Sequence, residues 1–324
     1  MSGCTDASPV VVQLPKEGEM ISIGERGEVT PLRSCLFVPA HRDNLIPKAL
    51  AAGADALIMD LEDACPPAEK TTGRKSARNA MESLDWGRVK AAIRINGMDT
   101  NLWQEDLDAI VCKQLYFIRV PKTETAEQIR RIDAVLGYLE ALRGLPQRSV
   151  KIGVSLESPL GIVNAWEIAN ASPRIAIMGG GAGLDYRAQM QSERRADRME
   201  SIYAQSQVLT VCRATGIRPM TGMYPVVKDI EGLITDSEWA KSMGYDGRSC
   251  IHPTHVEPIN RVFSPAPEKL EWAKRVVAAI KEGREKRYGE VTLDGVLIGP
   301  PTIVEVRRIF ARAGLETDID REMR

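Results

Sequence analysis

The sequence predicts an α/β protein, a (β/α)₈ TIM barrel with a C-terminal helical extension. Eight short runs rich in apolar and β-branched residues recur along the 324 residues, and each is followed by a longer stretch with helical spacing. The runs are apolar throughout rather than alternating, as parallel strands buried on both faces are. Eight such units suit a closed barrel in number and length. A doubly wound open sheet normally carries a glycine-rich turn after its first strand, and here that turn reads VPAHRDN.

In chain order the predicted strands are SCLFV (34–38), ALIMD (56–60), AAIRI (91–95), LYFIRV (115–120), KIGVSLE (151–157), RIAIM (174–178), IRPMTG (217–222) and GRSCIH (247–252). Between them DNLIPKALAAG, NLWQEDLDAIVC, TAEQIRRIDAVLGYLEALRG and SIYAQSQVLTVCRATG read as helices. Several open at Asp, Asn, Thr or Ser and close near Gly, as helix caps require. Residues 1–30 read as an N-terminal arm, 31–263 as the barrel, and 264–324 as a helical extension and lid that contains the turn VTLDGVLIGPP.

Composition narrows the function classes. Hydrophobic residues at 44% and charged residues at 27% belong to a globular protein, and a net charge of -1 disfavours a nucleic-acid partner. No apolar stretch has the length to span a bilayer, and residues 1–30 have no signal-like segment, so a cytoplasmic location is expected. The six cysteines contain no Cys-x-x-Cys pair and read as reduced core residues. His252 and His255 are a weak zinc signal, better read as structural.

In a (β/α)₈ barrel the C-terminal strand ends converge on one face. Strand two ends at Asp60, Glu62 and Asp63, strand three carries Arg94 and Asn96, strand five ends at Glu157, and Asp185 follows strand six. Five acids in one cleft repel one another unless a cation offsets them. With oxygen ligands alone, a hard divalent ion is indicated, Mg²⁺ foremost. Taken singly, Glu62, Asp63 and Asp185 suit helix capping equally well. Arg94, inside an apolar strand, needs an anion: a neighbouring acid or a substrate carboxylate or carbonyl. Gly179, Gly180, Gly181 and Gly183 permit close approach to a ligand or a tight turn. Arg42 and Lys48, after the first strand, suit either a phosphate or solvent, and ERRADRME (193–200) an exposed loop or helix start.

The segments from 33 to 70, RINGMDT, VPKTET, LESPLGIVNAWEIA, GLDY and GYDGRSCIHPTHVEPINRVFSP stand in the order found in the citrate lyase β-subunit family, which the chain resembles from Arg33 to Arg308. That family includes malyl-CoA, citramalyl-CoA and citryl-CoA lyases. The resemblance implies that Glu157 and Asp185 bind Mg²⁺, that Asp60, Glu62 and Asp63 hold its waters, and that Arg94 grips the substrate. Arg42 is the further substrate-binding candidate. The implied reaction is reversible cleavage of a 3-hydroxyacyl-CoA to a 2-oxo acid and an acyl-CoA, in a homotrimer or homohexamer whose C-terminal segment covers a neighbour's site. One position departs: lids of the family carry an Asp that transfers a proton, where this chain has Gly299 in DGVLIGPP. A hydroxyacyl-CoA thioesterase, an aldolase acting on a free acid and a non-catalytic binding protein are therefore the alternatives.

Overall fold

The computed structural model describes residues 31–195, 197–286 and 291–315, so the predicted N-terminal arm and Cys4 lie outside the described residues. Eight parallel strands close into a barrel in sequence order: β1 (Ser34–Pro39), β2 (Ala56–Asp60), β3 (Lys90–Arg94), β4 (Leu115–Val120), β5 (Lys151–Leu156), β6 (Ile175–Gly180), β7 (Arg218–Thr221) and β8 (Gly247–Cys250). The ring closes where β8 pairs with β1, Cys35 opposite Ser249.

Each strand sends alternate side chains inward and outward, and the two sets form separate cores. Outward residues such as Leu57, Met59, Ile93, Ile118 and Val154 join the helices in one large cluster. Inward residues Cys35, Ala56, Ile58, Ala92, Phe117, Ile177 and Met220 fill the barrel floor. Each large side chain buried in this way contributes on the order of 1.5–3 kcal/mol. Above that floor the inward positions turn polar: Asp60 follows Ile58, Arg94 follows Ala92, and Arg119 follows Phe117. The parallel register sets Asp60 beside Arg94 and Arg94 beside Arg119.

Local chemistry fixes the helices around this ring. Thr125 and Gln128 form a capping box at the start of α4 (Ala126–Leu142), Ser158 caps α5 (Pro159–Val163), and Asp229 caps α9 (Ile230–Met243). In order the helices are α1 (Ile46–Leu50), α2 (Lys70–Ser83), α3 (Trp103–Ile110), α4 (Ala126–Leu142), α5 (Pro159–Val163), α6 (Ala165–Ala169), α7 (Leu184–Met190), α8 (Met199–Thr215), α9 (Ile230–Met243) and α10 (Val256–Phe263). DNLIPKALAAG is shorter than its pattern suggests, a 3₁₀ turn over Asp43–Leu45 followed by α1. The glycines of MGGGAG serve packing: a Cβ on Gly179 would stand 2.2 Å from the Met220 carbonyl oxygen, and one on Gly181 2.7 Å from the Ala204 Cβ.

The extension comprises α11 (Pro267–Glu285), the hairpin β9 (Thr292–Leu293) and β10 (Val296–Leu297), and α12 (Pro300–Ala313). Asp294 and Gly295 both have positive φ, 52° and 80°, as a two-residue hairpin turn demands. Ala273, Val276, Ile280, Ile303, Val306 and Phe310 make a third apolar cluster between the two helices. Arg312 anchors the extension by donating to the Tyr245 carbonyl at 2.9 Å and to Asp246 at 3.2 Å, at the loop that enters β8. That loop lies at the end of the barrel opposite the polar strand ends.

The five described cysteines are free and buried. His255 is buried with Nε2 3.0 Å from the Val227 carbonyl, while exposed His252 caps a 3₁₀ turn, so both histidines serve the fold. No helix among the described residues is long and apolar enough to cross a membrane.

Candidate active site at the C-terminal strand ends

Asp60 is the centre of the site's charge network. Its carboxylate accepts from Arg94 Nε at 2.7 Å and Nη2 at 2.5 Å, and from the backbone N–H groups of Glu62 at 2.9 Å and Ala64 at 3.0 Å. The two-pronged geometry suits a planar guanidinium, and the backbone bonds fold the segment after β2 back over the strand. The remaining Arg94 nitrogen, Nη1, lies 2.9 Å from Glu62 and 3.3 Å from Asp63. Burial works against the charge on Arg94, but the bonds to Asp60 outweigh it and hold its pKa above the ordinary value. Phe37 lies under the guanidinium at 5.1 Å.

A second cation stands beside the first. Lys122, in the loop after β4, places Nζ 2.8 Å from Glu62 and 3.6 Å from Asp63. The bond to Glu62 raises its pKa, and the charges of Asp63 and Asp185 add to the effect. Lys70 ties the acidic segment down by donating to the carbonyls of Leu61 at 2.5 Å and Glu62 at 2.7 Å. Repulsion among Asp60, Glu62 and Asp63 is therefore offset by Arg94, in the pairing with a neighbouring acid that its place in an apolar strand allowed, and by Lys122, which the sequence did not mark.

Glu62 itself is poised. Burial pushes its carboxyl up to about 7, against the pull of Arg94 and Lys122. The folded protein thus keeps this proton to a higher pH than the unfolded chain, whose carboxyl titrates near the ordinary value. Stability must then fall as pH rises from the unfolded to the folded value. Relative to Glu62→Gln, the wild-type unfolding free energy should drop by up to about 3 kcal/mol between pH 4.5 and 8, as read by denaturant titration. Parallel pH profiles for the two proteins would show that Glu62 ionises normally.

Glu157 and Asp185 lie across the mouth. Glu157, one residue past β5, is partly buried, and no hydrogen bond or ion pair joins its carboxylate to another described residue. Burial raises its pKa, Arg119 and Arg94 lower it, and Asp185 raises it further. Asp185 is exposed in the first turn of α7 and caps no helix. Arg119, buried beneath them, donates through Nε to Ser155 at 2.6 Å, and burial lowers its pKa. An underpaired carboxylate with a second one in its field fits an oxygen-bound divalent ion whose other ligands are waters. No group of three or more His, Cys, Asp or Glu side chains forms a metal cage among the described residues, since the other acids are committed to Arg94 and Lys122.

Glu62 and Asp63 cap no helix, and Asn96 leaves the cleft, bonding Asp106 of α3 through its backbone N–H and its Nδ2, both at 2.7 Å. Arg42 is exposed at the rim after β1, as is Lys48 on α1. Residues 193–195 and 197–198 form a loop before α8, with Arg198 2.9 Å from Asp236. Arg119 and Lys122 were missed. The signal that singled out Arg94, a charge inside an apolar strand, marks Arg119 in LYFIRV equally well. Lys122 carries no such signal.

The HpcH/HpaI aldolase/citrate lyase family model matches residues 33–253. The chain belongs to this family. The citrate lyase subunit beta of Leuconostoc mesenteroides subsp. cremoris is 32% identical over 290 residues, which cover 90% of this chain and 96% of that protein. A (3S)-malyl-CoA thioesterase of Cereibacter sphaeroides is 33% identical over 283 residues, 87% of this chain and 95% of its own. In fold, the CitE protein of Mycobacterium tuberculosis, crystallised with magnesium, acetoacetate and coenzyme A, superposes with a TM-score of 0.68 at 30% identity, covering 89% of this chain and 100% of that one. The HpcH/HpaI membership places this barrel among proteins of CoA-linked lyase and thioesterase chemistry.

Proposed function

We propose that the chain is a Mg²⁺-dependent carbon-carbon lyase. It cleaves a 3-hydroxyacyl-CoA of the malyl-, citramalyl- or citryl-CoA kind into a 2-oxo acid and an acyl-CoA. The observation that carries this reading is the Glu157 carboxylate, without a hydrogen-bond or ion-pair partner among the described residues and flanked by the charge of Asp185. Glu157 and Asp185 would hold the ion, with Asp60, Glu62 and Asp63 fixing its waters. When bound, Mg²⁺ supplies the positive charge that draws electrons from the substrate's carboxylate and hydroxyl-bearing carbon.

The protein's own groups supply the rest. Asp60 fixes the Arg94 guanidinium in one plane, so that it meets the substrate carboxylate or the developing carbonyl oxygen without reorganising. Arg119 adds fixed positive charge from below. Arg42, at the rim, meets a phosphate of CoA. The extension, anchored at the far end of the barrel, leaves Val296 and Leu297 exposed on its hairpin, which supports a homotrimer or homohexamer in which the hairpin covers a neighbour.

Gly299 favours a second reading, hydrolysis of the thioester, because a lid without an acid supplies no proton to an acyl-CoA enolate. The kinship with a malyl-CoA thioesterase agrees with it. Incubating the protein and Mg²⁺ with malyl-, citramalyl- and citryl-CoA, while following 2-oxo acid and free thiol separately, divides the two. The lyase yields 2-oxo acid with the thioester intact; release of thiol with no 2-oxo acid rejects it.

A further inference from the structure

With Gly299 in the lid, a lyase of this sequence needs a proton carrier elsewhere, and the barrel mouth contains one pair of groups placed for it. We propose that Glu62 and Lys122 are that carrier: Glu62 takes the hydroxyl proton of the 3-hydroxyacyl thioester, and Lys122 delivers a proton to the enolate carbon. This rests on the lyase reading above.

The geometry selects these two from the surrounding charges. Their polar atoms are 2.8 Å apart, a hydrogen bond across which a proton passes directly. Lys122 is the accessible cation of the group: its side chain is 44% exposed, against 11% for Arg94, whose guanidinium, unlike an ammonium, gives up no proton. An ammonium has three N–H donors, so the bond to Glu62 leaves others to face a substrate. Asp185 acts on the Lys122 charge, so the pair stands within the field of the carboxylate assigned to the ion. Lys122 also has a left-handed backbone, φ 46°, a conformation that strains a non-glycine residue and that clusters at working sites. A carboxyl ionising near neutrality adds to the case, since both of its forms are populated at working pH.

The cycle balances. The substrate O–H bond breaks and its proton joins the Glu62 carboxylate; the C–O bond becomes a carbonyl as the bond between the two carbons breaks, its electron pair passing to the acyl thioester as an enolate. An N–H bond of Lys122 then breaks, its proton forms the new C–H bond, and the neutral amine recovers a proton from Glu62. No outside oxidant or reductant enters.

Lys122→Gly tests the assignment, because glycine accepts the positive φ and leaves room for a small amine. With the thioester that the wild-type enzyme cleaves, kcat should fall about 10²- to 10⁴-fold while KM changes little. Added ethylamine or propylamine should restore the rate in proportion to its concentration, with a slope that depends on amine basicity. Lys122→Arg should stay slow, since a guanidinium keeps its charge but gives up no proton. An undiminished kcat in Lys122→Gly, or a wild-type rate in Lys122→Arg, overturns the proposal while the lyase reading stands. A wild-type protein inert toward all three thioesters overturns both.

Discussion

Asp60→Ala should lower the unfolding free energy by about 3–5 kcal/mol, among the largest losses any single substitution in the barrel produces. Arg94 is buried in the strand wall, and Asp60 holds it at two points. Without that carboxylate the guanidinium keeps its desolvation penalty and loses its main counter-charge. Glu62 and Asp63 remain near Nη1, which pulls the loss toward the lower figure. The backbone N–H groups of Glu62 and Ala64 lose their acceptor as well, so the acidic segment loosens. Asp60→Asn keeps an acceptor oxygen and the shape, and should fall between the two proteins. Denaturant titration checks the order; an Asp60→Ala protein within 1 kcal/mol of wild type would show, on that scale, that Arg94 does not depend on Asp60.

Glu157→Ala should show the opposite division between stability and function. The carboxylate is partly buried without a hydrogen bond from a described residue, so removing it deletes an unfavourable burial and leaves stability unchanged or raised. The same change removes one of two protein ligands proposed for Mg²⁺, so metal-dependent turnover and metal-dependent binding of a 2-oxo acid should both disappear. Asp185→Ala should do the same from the exposed side. Thermal melting together with calorimetric titration separates the effects. A variant that melts like wild type and still binds metal with unchanged affinity sinks the assignment.

The barrel was legible because its strands are apolar on both faces, a pattern that few other folds require. ALIMD and LYFIRV carry it so clearly that their predicted and observed limits coincide. The helix α2 was not legible: KTTGRKSARNAMES is polar over most of its turns and packs mainly through Gly73, Arg74, Ala77, Ala80 and Met81, which do not stand out as an apolar stripe. Polar strand ends drew attention to Asp60, Glu62, Asp63, Arg94, Glu157 and Asp185 because the C-terminal strand ends of a barrel converge on one face. The sequence offered Arg94 as a counter-charge but left Lys122, the second one, unmarked. A sequence shows that acids cluster, but which cation reaches them depends on a left-handed residue in the loop after β4, and nothing in VPKTET encodes the direction in which Lys122 leaves the backbone.

Titration of a 2-oxo acid such as pyruvate into the wild-type protein, with Mg²⁺ present and then with the metal removed by chelator, reads whether ligand binding at the barrel mouth depends on the ion. Saturable heat of binding with Mg²⁺, none without it, and none in Glu157→Ala under either condition is the predicted result. Equal binding in chelator, or binding that survives in Glu157→Ala, would contradict a divalent ion held at Glu157 and Asp185 as the basis of this site.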